Sequence, residues 1–342
     1  MKLSDLAPMK HCLPLLVLLG LAWQGASAAD WPQWRGPDRN GILKANDVDL
    51  AKLKSDTKPA WKAEIGAGYA SMAISGGKLY AIGNTGSQDT VTCLDAKTGD
   101  KLWAYSYDCQ QDFGGFKGHR ATPAVSGQLV YTLSGTGQVN ALDKDKGTVV
   151  WQRNLKTEMR ARPPQWGFAS SPLVVGKLVY LNVGKAGLAL DAATGKTVWD
   201  SGAEGAAYAS PVLCTLGKTP ALLIFAGKAL VAVNPSTGQQ LWQHPWDTKY
   251  DVNAADPIVS GNRVFISSNY GRGCAMLEVS DSGAKVLWEN KVMKNHFNMS
   301  VTKGDLIFGN SESTFVCMSA KDGAELWQRS GFGKGHSVLL VG

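Results

Sequence analysis

The sequence predicts an all-β protein, a β-propeller of four-stranded blades, on three observations. A turn that ends in glycine and leads into a tryptophan recurs about every 40 to 48 residues. A short run of small residues, often closed by proline, opens each repeat. The 342 residues hold 39 glycines and 12 tryptophans but only 18% charged residues, a composition that favours short strands and tight turns over helices, whose interiors tolerate glycine poorly.

Residues 1–29 stand apart from the repeats. Lys2 and Lys10 precede the apolar run Leu13 to Trp23, and Ala26-Ser27-Ala28-Ala29 supplies the small residues that a signal peptidase reads. The run is too short for a spanning helix, and no later stretch approaches 18 apolar residues. A cleaved signal is therefore expected, with no transmembrane segment in the mature chain. No cysteine follows the small residues, so no lipid-attachment site is read there. Residues 30–58 are assigned to an N-terminal leader and residues 59–342 to the propeller.

Cys12 leaves with the signal, and the other five cysteines (Cys93, Cys109, Cys214, Cys274 and Cys317) are odd in number and widely spaced. That is not a disulfide framework. Cys93 and Cys317 share one repeat position where a small apolar side chain is needed, so core packing is expected of them. A Cys93–Cys109 bridge stays open, since both lie near one hairpin. The net charge of +7 becomes +6 when Lys2, Lys10 and Asp5 are removed with the signal. The remaining charges are scattered, which argues for solubility rather than a nucleic-acid footprint. The one basic cluster, Arg153, Lys156, Arg160 and Arg162, includes Glu158 and reads as a solvated loop.

Six turns carry the repeat: Leu94 to Gly99 before Trp103, Leu142 to Gly147 before Trp151, Leu190 to Gly195 before Trp199, Val233 to Gly238 before Trp242, Ser282-Gly283 before Trp288, and Met318 to Gly323 before Trp327. Glycine lies four residues before the tryptophan in five of them and five before it in the copy at Trp288, where the extra residue is expected to form a bulge. An Asp or Asn near the start of such a turn accepts backbone amides, and glycine takes positive φ. The repetition of Asp95, Asp143 and Asp191 assigns them to turns rather than catalysis. One indole per unit is best used in packing against the neighbouring unit.

The opening segments include Gly118 to Pro123, Gly167 to Pro172, Ala207 to Pro211 and Asn253 to Pro257, with weaker copies at Gly68 to Ser71, His296 to Ser300 and Gly335 to Ser337. Each precedes an apolar strand, a glycine turn and a second strand, and the tryptophan hairpin makes four strands per unit. Six units are complete, over about residues 68 to 330. Gly335 to Gly342 reads as the inner strand of a partial closing blade and Ala60 to Ile65 as its outer strand. The middle strands are absent, so a C-terminally truncated chain and an intact ring of seven or eight blades are expected, since pairing the termini would remove exposed edges.

The copies at Leu94–Trp103 and Leu190–Trp199 resemble the tryptophan-docking repeat of pyrroloquinoline-quinone-type propellers, over about Trp61 to Gly342. The leader Asp30-Trp31-Pro32-Gln33-Trp34-Arg35-Gly36-Pro37 is similar to that of exported bacterial quinoprotein-like repeat proteins, among them the propeller lipoprotein of the outer-membrane β-barrel assembly machinery. The resemblance implies a periplasmic or outer-membrane-associated scaffold with protein or peptide partners, without a cofactor. Its enzymes, the quinoprotein alcohol and sugar dehydrogenases, imply the rival, with the quinone and calcium in the axial funnel. No adjacent cysteine pair and no CxxCH haem site occurs. A carbohydrate-binding propeller is the third reading.

Equivalent positions of successive opening segments converge at one mouth of a propeller channel. The candidates there are His119, Arg120, Trp166, Tyr208 and Asn253, joined by Asp256, His296, Asn298 and His336. Three imidazoles could ligate a transition metal, but a wet, polar funnel is the simpler expectation, with no metal assigned. Asp256 alone replaces a Ser or Thr before the opening proline, which makes it the one candidate general base or calcium ligand. No nucleophile elbow, phosphate loop or dinucleotide fingerprint is present. The expectation is a monomeric, non-catalytic binding propeller without nucleic-acid partners.

Overall fold

The computed structural model describes residues 30–44 and 56–341, so the signal reading of residues 1–29 lies outside the described residues. Six four-stranded antiparallel sheets follow one another along the chain, over residues 73–108, 124–154, 173–200, 212–245, 258–290 and 301–330. We number them blades 1 to 6. In each, the four strands pair in chain order, which is the meander of a propeller blade. The all-β propeller is therefore the observed fold.

The middle strands are apolar on both faces because each blade is covered by a neighbour on either side. Leu129–Leu133 and Gln138–Asp143 of blade 2, for example, are buried almost throughout. The fourth strands are largely exposed, as in Lys101–Asp108. The core accordingly sits between blades: Leu133, Val139 and Trp151 of blade 2 pack with Val179, Leu181 and Leu190 of blade 3.

The tryptophan turn is the device that registers these layers. In blades 1 to 5 the indole Nε1 donates to a carbonyl in the turn of the next blade: Trp103 to Lys144, Trp151 to Ala192, Trp199 to Pro235 and Trp242 to Ser280, at 2.8 to 2.9 Å, and Trp288 to Ala320 at 3.1 Å. Glycine is required at the turn for two reasons. Gly195 has φ +71°, and a Cβ there would stand 2.7 Å from the ring of Trp151. Asp95 accepts the amides of Lys97 and Thr98 at 2.9 Å, and Asp143 and Asp191 act likewise in their turns.

Two expectations need correction. A register shift that leaves the residue just before the tryptophan unpaired occurs in all six blades, not at Trp288 alone. In blade 5 the strands instead pair further, to Val279 and Ala284, and close on a tighter turn whose Ser280 amide donates to Gly283. The chain ends also join differently. Leu339–Val341 pairs in parallel with Ile42–Lys44 of the leader, not with residues 60–65. A first and a fourth strand of one blade lie about three strand spacings, roughly 14 Å, apart, too far to bond without the middle strands. Trp61 nevertheless does the work of an outer-strand tryptophan, donating to Ala96 O at 3.3 Å and covering Gly99. Trp327 is 43% exposed and meets no such turn among the described residues.

Cys93 and Cys109 are free, buried thiols. Arg153 pairs with Glu158, beside a single helical turn at Leu155–Glu158, and Arg162 pairs with Glu204, so the basic cluster is partly neutralised. Among the described residues no helix is long and apolar enough to cross a membrane.

Candidate functional site: an axial cavity floored by the leader

The leader enters the channel. Trp31 forms a two-way backbone bridge with Ile74 of blade 1, and the Val125 amide of blade 2 donates to Pro32 O. Arg39 Nη1 donates to Pro172 O at the start of blade 3, and Arg35 Nη2 to Ser300 O at the start of blade 6. Trp34 Nε1 donates to Asp256 Oδ2 at 2.8 Å, next to blade 5. Residues 30–41 thus touch the inner edges of five blades and close the axis at one level.

Above this floor a ladder of side chains joins the opening segments. The Ser71 amide donates to Thr122 Oγ1, Thr122 N to Ser171 Oγ, Ser171 N to Ser210 Oγ and Ser210 N to Asp256 Oδ1, at 3.1, 2.9, 3.0 and 2.7 Å. The recurring hydroxyl is thus an inter-blade clasp. Asp256 takes the last of these amides and, with its second oxygen, the indole of the leader, which a hydroxyl could not do as well because a carboxylate has two acceptor oxygens.

The cavity over the floor has a volume of about 380 Å³. Its walls are mainly rings: Trp34, Tyr69, Phe116, Trp166, Tyr208, Tyr270, Phe297 and two histidines. Trp166, Tyr250, Tyr270, His296 and Phe297 form a continuous arc with successive ring centroids 4.9 to 6.0 Å apart. Tyr250 and Tyr270 hold left-handed backbones, φ +65° and +57°, a strained conformation for bulky side chains that is associated with functional loops.

Six of the nine sequence candidates line this cavity: Arg120, Trp166, Tyr208, Asp256, His296 and His336. His119, Asn253 and Asn298 do not. Neighbouring residues of an extended segment face opposite ways, so Arg120 reaches the cavity while His119 turns into the seam between blades. There His119 is fully buried, its Nδ1 2.9 Å from Asp89 Oδ2, and Asp89 also accepts from Asn84, Tyr107 and Gln111. Asn253 donates to Ala226 O and Asn298 to Asn310 O, both in buried seams. The three imidazoles therefore do not converge. Arg120 is a clamp: it donates to Gly118 O and Phe116 O and stacks between Tyr69 and Phe113, holding the hairpin Asp112–Lys117 over the mouth.

Charge is concentrated at the floor. Burial pushes the Asp256 carboxyl up against the opposing pull of Arg35 and Arg39. Burial lowers both guanidinium groups, Arg39 to about 10, with Asp256 opposing. Burial also lowers His296, helped by the cationic Lys334.

Residues 87–329 match the family model described as outer membrane protein assembly factor BamB. The chain belongs to that family. A BamB of Yersinia pestis is 24% identical over 90% of this chain and 76% of its own length. A quinoprotein ethanol dehydrogenase of Pseudomonas aeruginosa is 26% identical over 75% of this chain, and the chain spans only 39% of that enzyme. Among solved structures, BamB of Moraxella catarrhalis superposes with a TM-score of 0.55 at 17% identity, covering 76% of this chain and 72% of that one. A europium-containing methanol dehydrogenase gives 0.56 at 14% identity, covering 90% and 87%. These likenesses establish the BamB-type fold, which BamB proteins and quinone-type dehydrogenases share.

A calcium-bound quinone, the cofactor of quinoprotein dehydrogenases, would find no free carboxylate in this lining. Calcium takes six to eight oxygen ligands, whereas the cavity offers one carboxylate, whose oxygens already accept from Trp34 and Ser210 and which two guanidiniums flank. Among the described residues no three acidic, histidine or cysteine side chains group as a metal site.

Sequence reasoning missed the rim rings Tyr69, Phe116, Tyr250, Tyr270 and Phe297. Tyr69 and Phe297 were within reach, since each stands in an opening segment among small residues. Tyr250 and Tyr270 carry no local signal.

Proposed function

We propose that this chain is an exported, non-catalytic propeller that binds extended segments of protein partners at its aromatic rim, as a scaffold in envelope or outer-membrane protein assembly. The observation that carries the reading is the cavity itself. Rings from several blades converge on its mouth, with Tyr69 63%, Phe116 55% and Phe297 50% exposed, while its one carboxylate is committed to holding the leader. Exposed, clustered aromatic area rimmed by polar groups marks a binding surface, and aromatic anchors dominate binding energy. The names of the BamB relatives support the partner class.

The rival is a quinone-dependent dehydrogenase, favoured by the likeness to the ethanol dehydrogenase and opposed by the donor set of the lining. Both are tested on the purified protein. A photo-crosslinking residue in place of Phe116 is expected to capture extended, apolar-rich peptides at the rim. Stoichiometric binding of pyrroloquinoline quinone with calcium, and dye-linked alcohol oxidation, would overturn the scaffold reading.

A further inference from the structure

The hydroxyl ladder leaves something over. Thr122, Ser171 and Ser210 each accept an amide from the preceding opening segment, yet none of the three donates its own hydroxyl hydrogen to a protein atom among the described residues. A hydroxyl has one donor and two acceptor sites, so each keeps an unused donor. All three line the cavity while being 97% or more buried, at 2%, 3% and 3% exposure. Because all three line the cavity, these hydrogens are free to donate to an acceptor placed inside it.

Their arrangement narrows the acceptor. Successive hydroxyls are linked through a single residue's amide, so the three donors follow one another along the wall, where a group with two closely spaced oxygens can accept from neighbouring members. The charges agree. Arg35 and Arg39 belong to the floor and Arg120 stands at the wall, against the single carboxylate of Asp256. Lys334, near His296, is balanced by Glu312. The surplus is positive. Above the hydroxyls the walls are apolar, with Met299, Val252, Trp166, Tyr208 and Phe297.

We propose that the cavity is a carboxylate site: Thr122, Ser171 and Ser210 donate to the two oxygens of an organic acid whose apolar body packs on the aromatic walls. Such an acid is either a free small molecule or the terminus of a polypeptide chain. In the second case the inference deepens the scaffold function, because rim and cavity then hold one partner.

The test is calorimetric titration of the mature protein with four probes: 3-phenylpropionate and its amide, and acetyl-Ala-Ala-Leu as free acid and as amide. Each acid is expected to bind about tenfold or more tightly than its amide, since hydrogen bonds to an ionised acceptor are the stronger ones. Ser171→Ala is expected to erase that preference, and Ser171→Thr, which keeps a hydroxyl, to retain it. Phe297→Ala, on an exposed ring, is expected to weaken acid and amide alike, which keeps the test valid if Ser171→Ala does not fold. A tighter peptide acid identifies a chain terminus and a tighter phenylpropionate a small acid; either supports the site. Equal binding of acid and amide overturns the carboxylate site while leaving peptide binding at the rim intact. No binding by any probe overturns it as well, and the photo-crosslinking of extended peptides then decides the scaffold function separately.

Discussion

Trp34 Nε1 and Asp256 Oδ2 meet at 2.8 Å across 222 positions of chain. Through this contact a leader that precedes the repeats becomes part of their axis. Asp256 stands between the indole, the Ser210 amide and two buried guanidiniums. Removing one partner of a buried charge group costs about 3–5 kcal/mol. Asp256→Ala is therefore expected to lower the urea-unfolding free energy by about that amount, and to speed protease cleavage within residues 30–44. A variant of wild-type stability would mean that the leader holds its place without Asp256.

The docking turns provide an internally controlled comparison. Gly195→Ala places a Cβ in a left-handed backbone, costing about 1–2 kcal/mol, and 2.7 Å from the Trp151 ring, costing roughly another 1–3 kcal/mol by overpacking. Gly283 has neither a positive φ nor an atom within 4 Å of its Cβ position. Gly283→Ala is expected to stay within about 0.5 kcal/mol of wild type, so thermal denaturation should separate the two variants clearly.

Tyr69→Ala is a test of binding without stability. The ring is 63% exposed, so its loss should change folding by no more than about 0.5 kcal/mol. If the rim holds peptide, affinity should drop by about 1–2 kcal/mol, about five- to thirtyfold. Titration calorimetry beside a melting curve reads both.

Stability should fall on mild acidification. Burial, and then the nearby Lys334 cation, lower the His296 pKa from 6.5; burial lowers His244 as well. Between those lowered folded values and the unfolded value near 6.5 the unfolded chain binds more protons than the folded one. Stability is therefore full above about pH 6.5 and is lost as pH falls through the folded values. Calorimetric melting at pH 7.5 and pH 5 should show the decline, and His296→Gln should reduce it.

Most of the architecture was legible because it is written in local, repeated chemistry. An Asx residue, a glycine and a tryptophan at fixed spacing specify a turn, a left-handed backbone and a docking ring, and each copy corroborates the others. The cavity was legible in part. Arg120, Trp166 and Asp256 line the cavity while His119 faces a seam, because facing in an opening segment depends on single-residue rotations that no period records. The closing pair of Ile42–Lys44 with Leu339–Val341 was likewise invisible, since neither segment carries a tryptophan or a turn.

By itself the sequence determined six blades and the tryptophan registry between them, which rest on contacts among equivalent positions of successive repeats. Only the tertiary structure decided that the leader floors the channel, that both Asp256 oxygens are taken by Trp34 and Ser210, and that the recurring hydroxyls clasp neighbouring blades. Those outcomes turn on contacts between a unique segment and repeated ones. Burial and partner geometry, which exist only once the ring is assembled, set what each of these groups can do.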